Sequence, residues 1–122
     1  MDITKVIAEM KQDPGFSEKV GMILVHNGIV RGWSRLGHKP VTEVEVKVNE
    51  RKLEELRNEY LQKPGIYKII IECCSGRLKP GDDLLFIVVA GDIRENVKPV
   101  LSELLDRIKA EAVTKLETTS FL

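Results

Sequence analysis

Four positive side chains lie where predicted strands or helices end, a placement that often builds anion sites in clefts. Arg31 directly follows an apolar strand, and Arg94 follows a second apolar strand after the Gly91-Asp92 turn. Lys109 lies in the last turn of the final predicted helix, and Lys115 lies just beyond it. An anion-binding cleft is one interpretation. A solvated surface is the other, because lysine near a helix C-terminus already favours the helix dipole and most surface cations bind nothing specific.

The histidines and cysteines do not form a recognisable catalytic or metal site. His26 lies in an apolar strand and His38 in a basic loop, and neither is near a nucleophile motif. We favour a structural, hydrogen-bonded role for His26 and simple solvation for His38. Cys73 and Cys74 are adjacent, so they lack Cys-x-x-Cys spacing, and on a strand their sulfurs point to opposite faces. We expect core thiols, with a reactive thiol as the alternative, and neither a metal ion nor a resident cofactor.

Composition excludes several classes of protein. The 122 residues predict a single domain, 1–122, and the content of 43% hydrophobic and 31% charged residues predicts a globular protein. Because 19 Lys and Arg balance 19 Asp and Glu, bulk charge gives no reason to expect nucleic acid or an anionic membrane as partner. The apolar runs are too short to cross a bilayer, no signal segment is evident, and adjacent cysteines make no disulfide framework. We expect a reduced, cytoplasmic chain.

Hydrophobic periodicity indicates the elements that position these residues. Helical spacing predicts a helix at 3–11, one between an Asn49 cap and Lys63-Pro64-Gly65, and a final helix that begins near Asn96, because Pro99 is tolerated only in a first turn. Alternating or continuous apolar residues predict strands at 20–30, 44–48, 66–74 and 84–90 and a short edge strand at 113–116.

The connections between these elements suggest a fold class. Asn27-Gly28 predicts a bulge rather than a hairpin turn, because apolar residues resume at once. Segments 31–40 and 75–83 are predicted to be loops, since they contain several Gly and Pro residues. Strand-to-strand steps mixed with helices predict a two-layer α+β domain, with helices packed on a mostly antiparallel sheet.

Three segments together resemble the family of large, catalytic subunits of molybdopterin synthase, over about residues 21–117. The first is Gly28-Ile29-Val30-Arg31, after the apolar strand. The second reads Gly-Arg-Leu-Lys-Pro-Gly-Asp-Asp at 76–83 and leads into the strand at 84–90. The third is Leu-Asp-Arg-Ile-Lys at 105–109, followed by Lys-Leu-Glu at 115–117. Each motif is short, and their order and spacing carry the resemblance.

The resemblance implies a fold, an activity and partners. The family has an α+β hammerhead-type domain that dimerises. Its small ubiquitin-like partner carries a C-terminal Gly-Gly thiocarboxylate, from which two sulfurs pass in turn to a cyclic pyranopterin monophosphate to form the dithiolene of molybdopterin. We therefore expect a molybdopterin synthase-type sulfurtransferase that acts in molybdenum cofactor biosynthesis. The expected assembly is a homodimer that becomes a heterotetramer with its partner.

The resemblance also assigns roles to the four cations. It implies that Arg31 and Arg94 bind the substrate phosphate and that Lys109 is the catalytic lysine. Lys115 matches a second essential lysine if one residue is deleted here, whereas Leu116 takes that place without a gap. These roles suit the chemistry, because guanidinium groups bind phosphate in forked pairs and an ammonium group can stabilise an oxyanion.

Some positions depart from the family pattern. Cys73-Cys74 replaces a usual His-Arg pair, Ile93 replaces a usual His, and the basic pair before Glu117 is reduced to Lys115-Leu116. Each lost charge-assisted hydrogen bond would cost about 1.5–3 kcal/mol of phosphate binding. Two alternatives therefore stay open: a non-catalytic dimeric relative that binds the partner tail without pterin chemistry, and a purely structural domain.

Overall fold

The computed structural model describes residues 1–119, so the last three residues of the predicted domain 1–122 lie outside its description. The described residues form four helices and six strands. In chain order these are α1 (Ile3–Met10), α2 (Phe16–Lys19), β1 (Met22–Ile29), β2 (Val41–Val48), α3 (Glu50–Leu61), β3 (Ile66–Cys73), β4 (Gly76–Leu78), β5 (Asp83–Gly91), α4 (Arg94–Glu111) and β6 (Val113–Thr119). No helix within these residues has the length and apolar character needed to cross a membrane.

The strands form two antiparallel sheets of three strands each. The first has the order β1-β5-β3 and the second the order β4-β2-β6. This arrangement confirms the predicted α+β fold with helices on antiparallel strands. It adds a division into two sheets, because β2 pairs with β4 and β6 rather than with its neighbours in the sequence.

The main core lies between the first sheet and helices α3 and α4. Central strand β5 is buried on both faces, because Ile87 and Val89 pack toward α3 and α4 while Val88 and Ala90 pack with Met10 of α1. The apolar faces of the two long helices cover this side of the sheet, through Leu53, Leu56 and Tyr60 of α3 and Val97, Val100, Leu104 and Ile108 of α4. Edge strand β3 is only partly buried, although burial on both faces was predicted.

Several boundaries differ from the sequence-based prediction, among them the start of α4 and the bounds of β1, β2 and β6, and helix α2 was not predicted. Helix α4 begins at Arg94 rather than near Asn96, because the Ile93 carbonyl already accepts the Asn96 and Val97 N–H groups, each at 3.1 Å. Pro99 therefore lies in the second turn, where the helix forgoes one hydrogen bond. Segment 75–83, predicted to be a loop, contains β4, a strand too short to show periodicity. The bulge prediction is confirmed, because the β1–β5 register shifts between residues 28 and 29.

The second sheet holds β6 directly after α4. Only Ala112 separates the two elements, and its carbonyl accepts a hydrogen bond from the Asn49 N–H at 2.8 Å. Strand β6 then pairs with β2, with Lys115 opposite Val46 and Glu117 opposite Val44. It is an edge strand, as predicted, and extends to Thr119. The short link therefore places the C-terminal end of α4 beside the start of β6.

Candidate functional site

A cavity of about 500 Å³ lies where the C-terminal end of α4 meets strands of both sheets. Its walls come from β1, β3 and β5 of the first sheet, from β6 of the second, and from the loop after β1. The side chains that bring charge or titratable groups to it are His26, Arg31, Arg35, Cys73, Lys109 and Lys115. Three of the four predicted site residues, Arg31, Lys109 and Lys115, therefore meet in one cavity.

Arg31 reaches the cavity from the end of β1. The preceding Val30 is buried, with 2% of its surface exposed. Its backbone is hydrogen-bonded on both sides, because its N–H donates to the Asp82 carbonyl and its carbonyl accepts the Gly81 N–H, both at 2.9 Å. This anchoring of the strand end positions the guanidinium group at the cavity.

Lys109 comes before the short link between α4 and β6, and Lys115 comes after it. Because side chains alternate along a strand, Val113, Lys115 and Glu117 share one face of β6. Leu116 lies on the other face and is 69% exposed. The cavity therefore contains Lys115 and not Leu116, which favours the alignment with a one-residue deletion.

Among residues 1–119, one carboxylate balances part of the positive charge of the cavity. Oε1 of Glu117 lies 3.3 Å from Lys115 Nζ and 3.7 Å from Arg31 Nη2. Within residues 1–119, neither Lys109 nor Arg35 has an ion-pair partner. The site thus carries four cations against one carboxylate, an electrostatic environment that attracts anions.

Arg94 does not share this cavity within one chain. It starts α4, fifteen residues before Lys109, which is about 22 Å along the helix axis at the usual rise per residue. The Arg94 side chain is 77% exposed, and its Nε lies 3.1 Å from Oε1 of Glu95. It borders a separate depression together with Ile93, which is 53% exposed. The predicted role of Arg94 in phosphate binding stays a prediction.

His26 differs from the satisfied structural histidine that the sequence favoured. It borders the cavity, and its Nε2 atom is buried with no hydrogen-bond partner in the described part of the chain. Burial lowers the pKa of His26, and the positive charge of Lys109 lowers it further. A Cβ at Gly28 would lie 3.0 Å from Nε2, so glycine leaves room for the ring. The imidazole is therefore a neutral group close to the cations.

Cys73 is a half-buried thiol that lines the cavity. It packs against the apolar residues beneath both sheets, as a core thiol would. Burial, together with smaller contributions from the nearby Cys74 and Glu50, raises the pKa of Cys73 to about 11. Its Sγ lies 3.9 Å from the Cys74 carbonyl oxygen. The group is thus a protonated thiol near neutral pH, which makes it a weak nucleophile.

The remaining candidate groups are potential metal ligands or potential members of the cavity lining. In residues 1–119, no three His, Cys, Asp or Glu side chains are grouped so that they could hold a metal ion. His38 lies away from the cavity lining and packs its ring 5.7 Å from that of Trp33. The sequence had favoured a structural role for His26, and it had not indicated Arg35 or the pairing of Glu117 as parts of the site. Of these, only Glu117 had a signal, as part of the Lys-Leu-Glu segment.

Comparison with known proteins identifies relatives. The family model described as MoaE protein matches residues 1–111. A search of curated proteins found no significant match. Several solved structures are similar to this chain. Molybdopterin synthase from Staphylococcus aureus has a TM-score of 0.77 and 20% identity, and covers 100% of this chain and 88% of that chain.

Two further similar structures show the same fold at comparable identity. The molybdopterin biosynthesis MoaE protein from Burkholderia ambifaria MC40-6 has a TM-score of 0.73 and 24% identity, with 98% of this chain and 81% of that chain covered. The complex of subunits 1 and 2 of molybdopterin-converting factor from Helicobacter pylori 26695 has a TM-score of 0.70 and 18% identity, with coverage of 98% and 80%.

Proposed function

The chain belongs to the MoaE family, and we propose that it is the large subunit of a molybdopterin synthase, acting in molybdenum cofactor biosynthesis. The reaction is transfer of sulfur from the C-terminal thiocarboxylate of a small partner subunit to a cyclic pyranopterin monophosphate, which forms the dithiolene. The observation that carries this proposal is the single cavity lined by Arg31, Lys109 and Lys115. It has the size of a small-molecule site and a strong excess of positive charge.

In the proposed site, Arg31 and Lys115 bind the phosphate group of the pterin. A guanidinium group can donate two parallel hydrogen bonds to phosphate oxygens, and an ammonium group adds a compact positive charge. Both side chains are about one-third exposed or less, at 34% and 29%. Both side chains already pair with the Glu117 carboxylate, so an incoming phosphate must compete with it. Binding of phosphate therefore exchanges one ion pair for another.

Lys109 is the proposed catalytic group. It borders the same cavity and has no carboxylate partner within residues 1–119, so its ammonium group is available to a ligand. Transfer bonds the thiocarboxylate sulfur to the pterin side chain, and water then cleaves its bond to the carboxyl carbon, which leaves the partner with an ordinary carboxylate. Negative charge develops on the carboxyl oxygen in the tetrahedral intermediate of that cleavage. An ammonium group placed at that oxygen stabilises the transition state more than the ground state.

The proposed partner is a small ubiquitin-like sulfur carrier that ends in Gly-Gly. The similar two-subunit complex from Helicobacter pylori supports this choice. We further propose a homodimer in the cytoplasm, built from one domain per chain. Arg94 can contribute to phosphate binding in this assembly only from the second copy, because it lies too far from the cavity of its own chain.

Reconstitution tests the proposed function. The purified chain is mixed with a thiocarboxylated small subunit and cyclic pyranopterin monophosphate, and dithiolene product is measured. A small subunit that ends in an ordinary carboxylate is the control and should give none. Partner capture without product would instead support the non-catalytic relative. The absence of both capture and product would leave only a structural domain.

A further inference from the structure

Arg35 borders the cavity although it belongs to an exposed loop, residues 31–40. This loop is held by its own hydrogen bonds. The Ser34 N–H donates to the Lys39 carbonyl at 2.8 Å, and the Lys39 N–H donates to the Ser34 hydroxyl at 2.9 Å. That hydroxyl in turn donates to the Leu36 carbonyl at 2.7 Å. Arg35 therefore lies at the tip of a closed loop rather than on a free segment.

Additional contacts fix the direction of this loop. Trp33 bridges to Pro40, and its ring lies 5.7 Å from that of His38. Gly37 and His38 both have positive φ angles, of 80° and 49°, which reverse the chain. A non-glycine residue in this conformation is uncommon, and here the surrounding contacts of the loop hold it in place. The loop thus presents Arg35 at one side of the cavity.

The pairing of charges in the cavity indicates which kind of group Arg35 binds. Glu117 is shared by Arg31 and Lys115, which leaves Arg35 and Lys109 without a carboxylate in the described residues. The proposed reaction brings two anionic groups into this space, a phosphate and a thiocarboxylate. Lys109, in the last turn of α4, is assigned to the thiocarboxylate. Arg35 lines the cavity from the same segment as Arg31, which leaves it available to the phosphate.

We propose that Arg35 is a further substrate-binding residue, which binds the phosphate group together with Arg31 and so uses loop 31–40 to close one side of the cavity. This inference rests on the proposed function for the identity of the phosphate ligand. A second guanidinium group adds forked hydrogen bonds to phosphate that a lone arginine cannot complete. Because this contact is made equally in the ground state and the transition state, Arg35 should affect substrate affinity and not the transfer step.

Binding of inorganic phosphate and of cyclic pyranopterin monophosphate tests Arg35 directly. Arg35→Gln should weaken binding of both probes about tenfold, and Arg35→Lys about threefold, since charge-assisted hydrogen bonds are among the stronger ones. Arg77→Gln is the matched control. Arg77 is an exposed arginine in register with Glu45 and Leu116, on the face of the second sheet opposite the cavity, and its replacement should change nothing.

The outcomes separate this inference from the proposed function. In the reconstituted synthase, Arg35→Gln should raise KM for the pterin about tenfold and leave kcat unchanged. Product formation with wild-type KM in this variant would overturn the inference and leave the proposed function intact. If phosphate binding depends on Arg35 but the reconstituted chain makes no product, the assignment of Arg35 as a phosphate-binding residue stands and the proposed function is overturned. Failure of the wild-type chain to bind either probe, or equal binding by Arg35→Gln, also overturns the inference.

Discussion

The carboxylate of Glu117 lies 3.3 Å from the ammonium group of Lys115, two residues away on the same face of β6. The same oxygen also lies 3.7 Å from Arg31. The Glu117 carboxylate therefore already pairs with two of the cations that would bind an anionic ligand. A phosphate that binds here competes with it.

Removing this competing charge should strengthen anion binding. Glu117→Gln keeps the shape of the side chain, and we expect inorganic phosphate to bind about threefold more tightly, because a partly exposed ion pair is worth up to about 1 kcal/mol. Titration calorimetry or NMR titration measures the change. Glu103→Gln, on the exposed face of α4, is the control. Weaker binding in Glu117→Gln would mean that the carboxylate mainly holds the two cations in position.

Lys109 should be required for turnover but not for folding. We expect Lys109→Ala to lower kcat at least about a hundredfold, the usual cost of removing a donor to a developing oxyanion. The residue is exposed, so thermal unfolding should change little. Lys98→Ala, an exposed lysine on the same helix, should retain full activity. Equal turnover in the two variants would remove Lys109 from the mechanism.

Lys115 and Leu116 can be distinguished by paired replacement. Lys115→Ala should raise KM for the pterin about tenfold, as expected for loss of a charge-assisted phosphate contact. Leu116→Ala should leave kinetics unchanged, because that side chain lies on the other face of β6 and is 69% exposed. Steady-state assays of both variants decide the matter. The reverse pattern would show that the ungapped alignment is the functional one.

His26 should make the stability of the fold sensitive to acid. Its pKa in the folded chain is below the ordinary value of 6.5, so below that pH the unfolded chain binds a proton more readily than the folded chain. The free energy of unfolding should therefore fall as the pH decreases through 6.5, with no contribution from this residue above it. Urea unfolding at several pH values measures the slope. His26→Phe should reduce it, and an unchanged slope would assign the acid sensitivity to other groups.

Cys73 should react slowly with alkylating agents near neutral pH. A pKa of about 11, against an ordinary 9.0, lowers the thiolate fraction about a hundredfold. Mass spectrometry of the Cys74→Ser variant treated with iodoacetamide follows Cys73 alone, and the unfolded variant in urea gives the reference rate. The rate should rise steeply toward alkaline pH. Rapid alkylation at neutral pH would indicate an activated thiol in the cavity.

The sequence predicted the parts of the fold that depend on periodic apolar residues. The face of α4 and the continuous apolar run of β5 were found because burial imposes their spacing. The expectation that Arg31, Lys109 and Lys115 belong to one site came from their positions at the ends of predicted elements and from the family resemblance. The start of α4 was misplaced because the backbone tolerates Pro99 in the second turn, a choice made by tertiary packing rather than by local propensity.

Other parts of the site depend on contacts that no local pattern signals. The position of Arg35 follows from hydrogen bonds between Ser34 and Lys39 within a loop that reads only as polar and glycine-rich. The unpartnered nitrogen of His26 is a consequence of packing near Gly28 and Lys109, which come from different elements. Such features require three-dimensional coordinates.

The chain passes from the first sheet to the second within two residues, between the end of β3 at Cys73 and the start of β4 at Gly76. It passes into β6 again through Ala112 alone. The lengths of these two connections set the distance between the walls of the cavity. Lengthening either by one residue would alter the dimensions of the binding space while leaving the interior of each layer intact, so substrate selectivity could evolve there without loss of the fold.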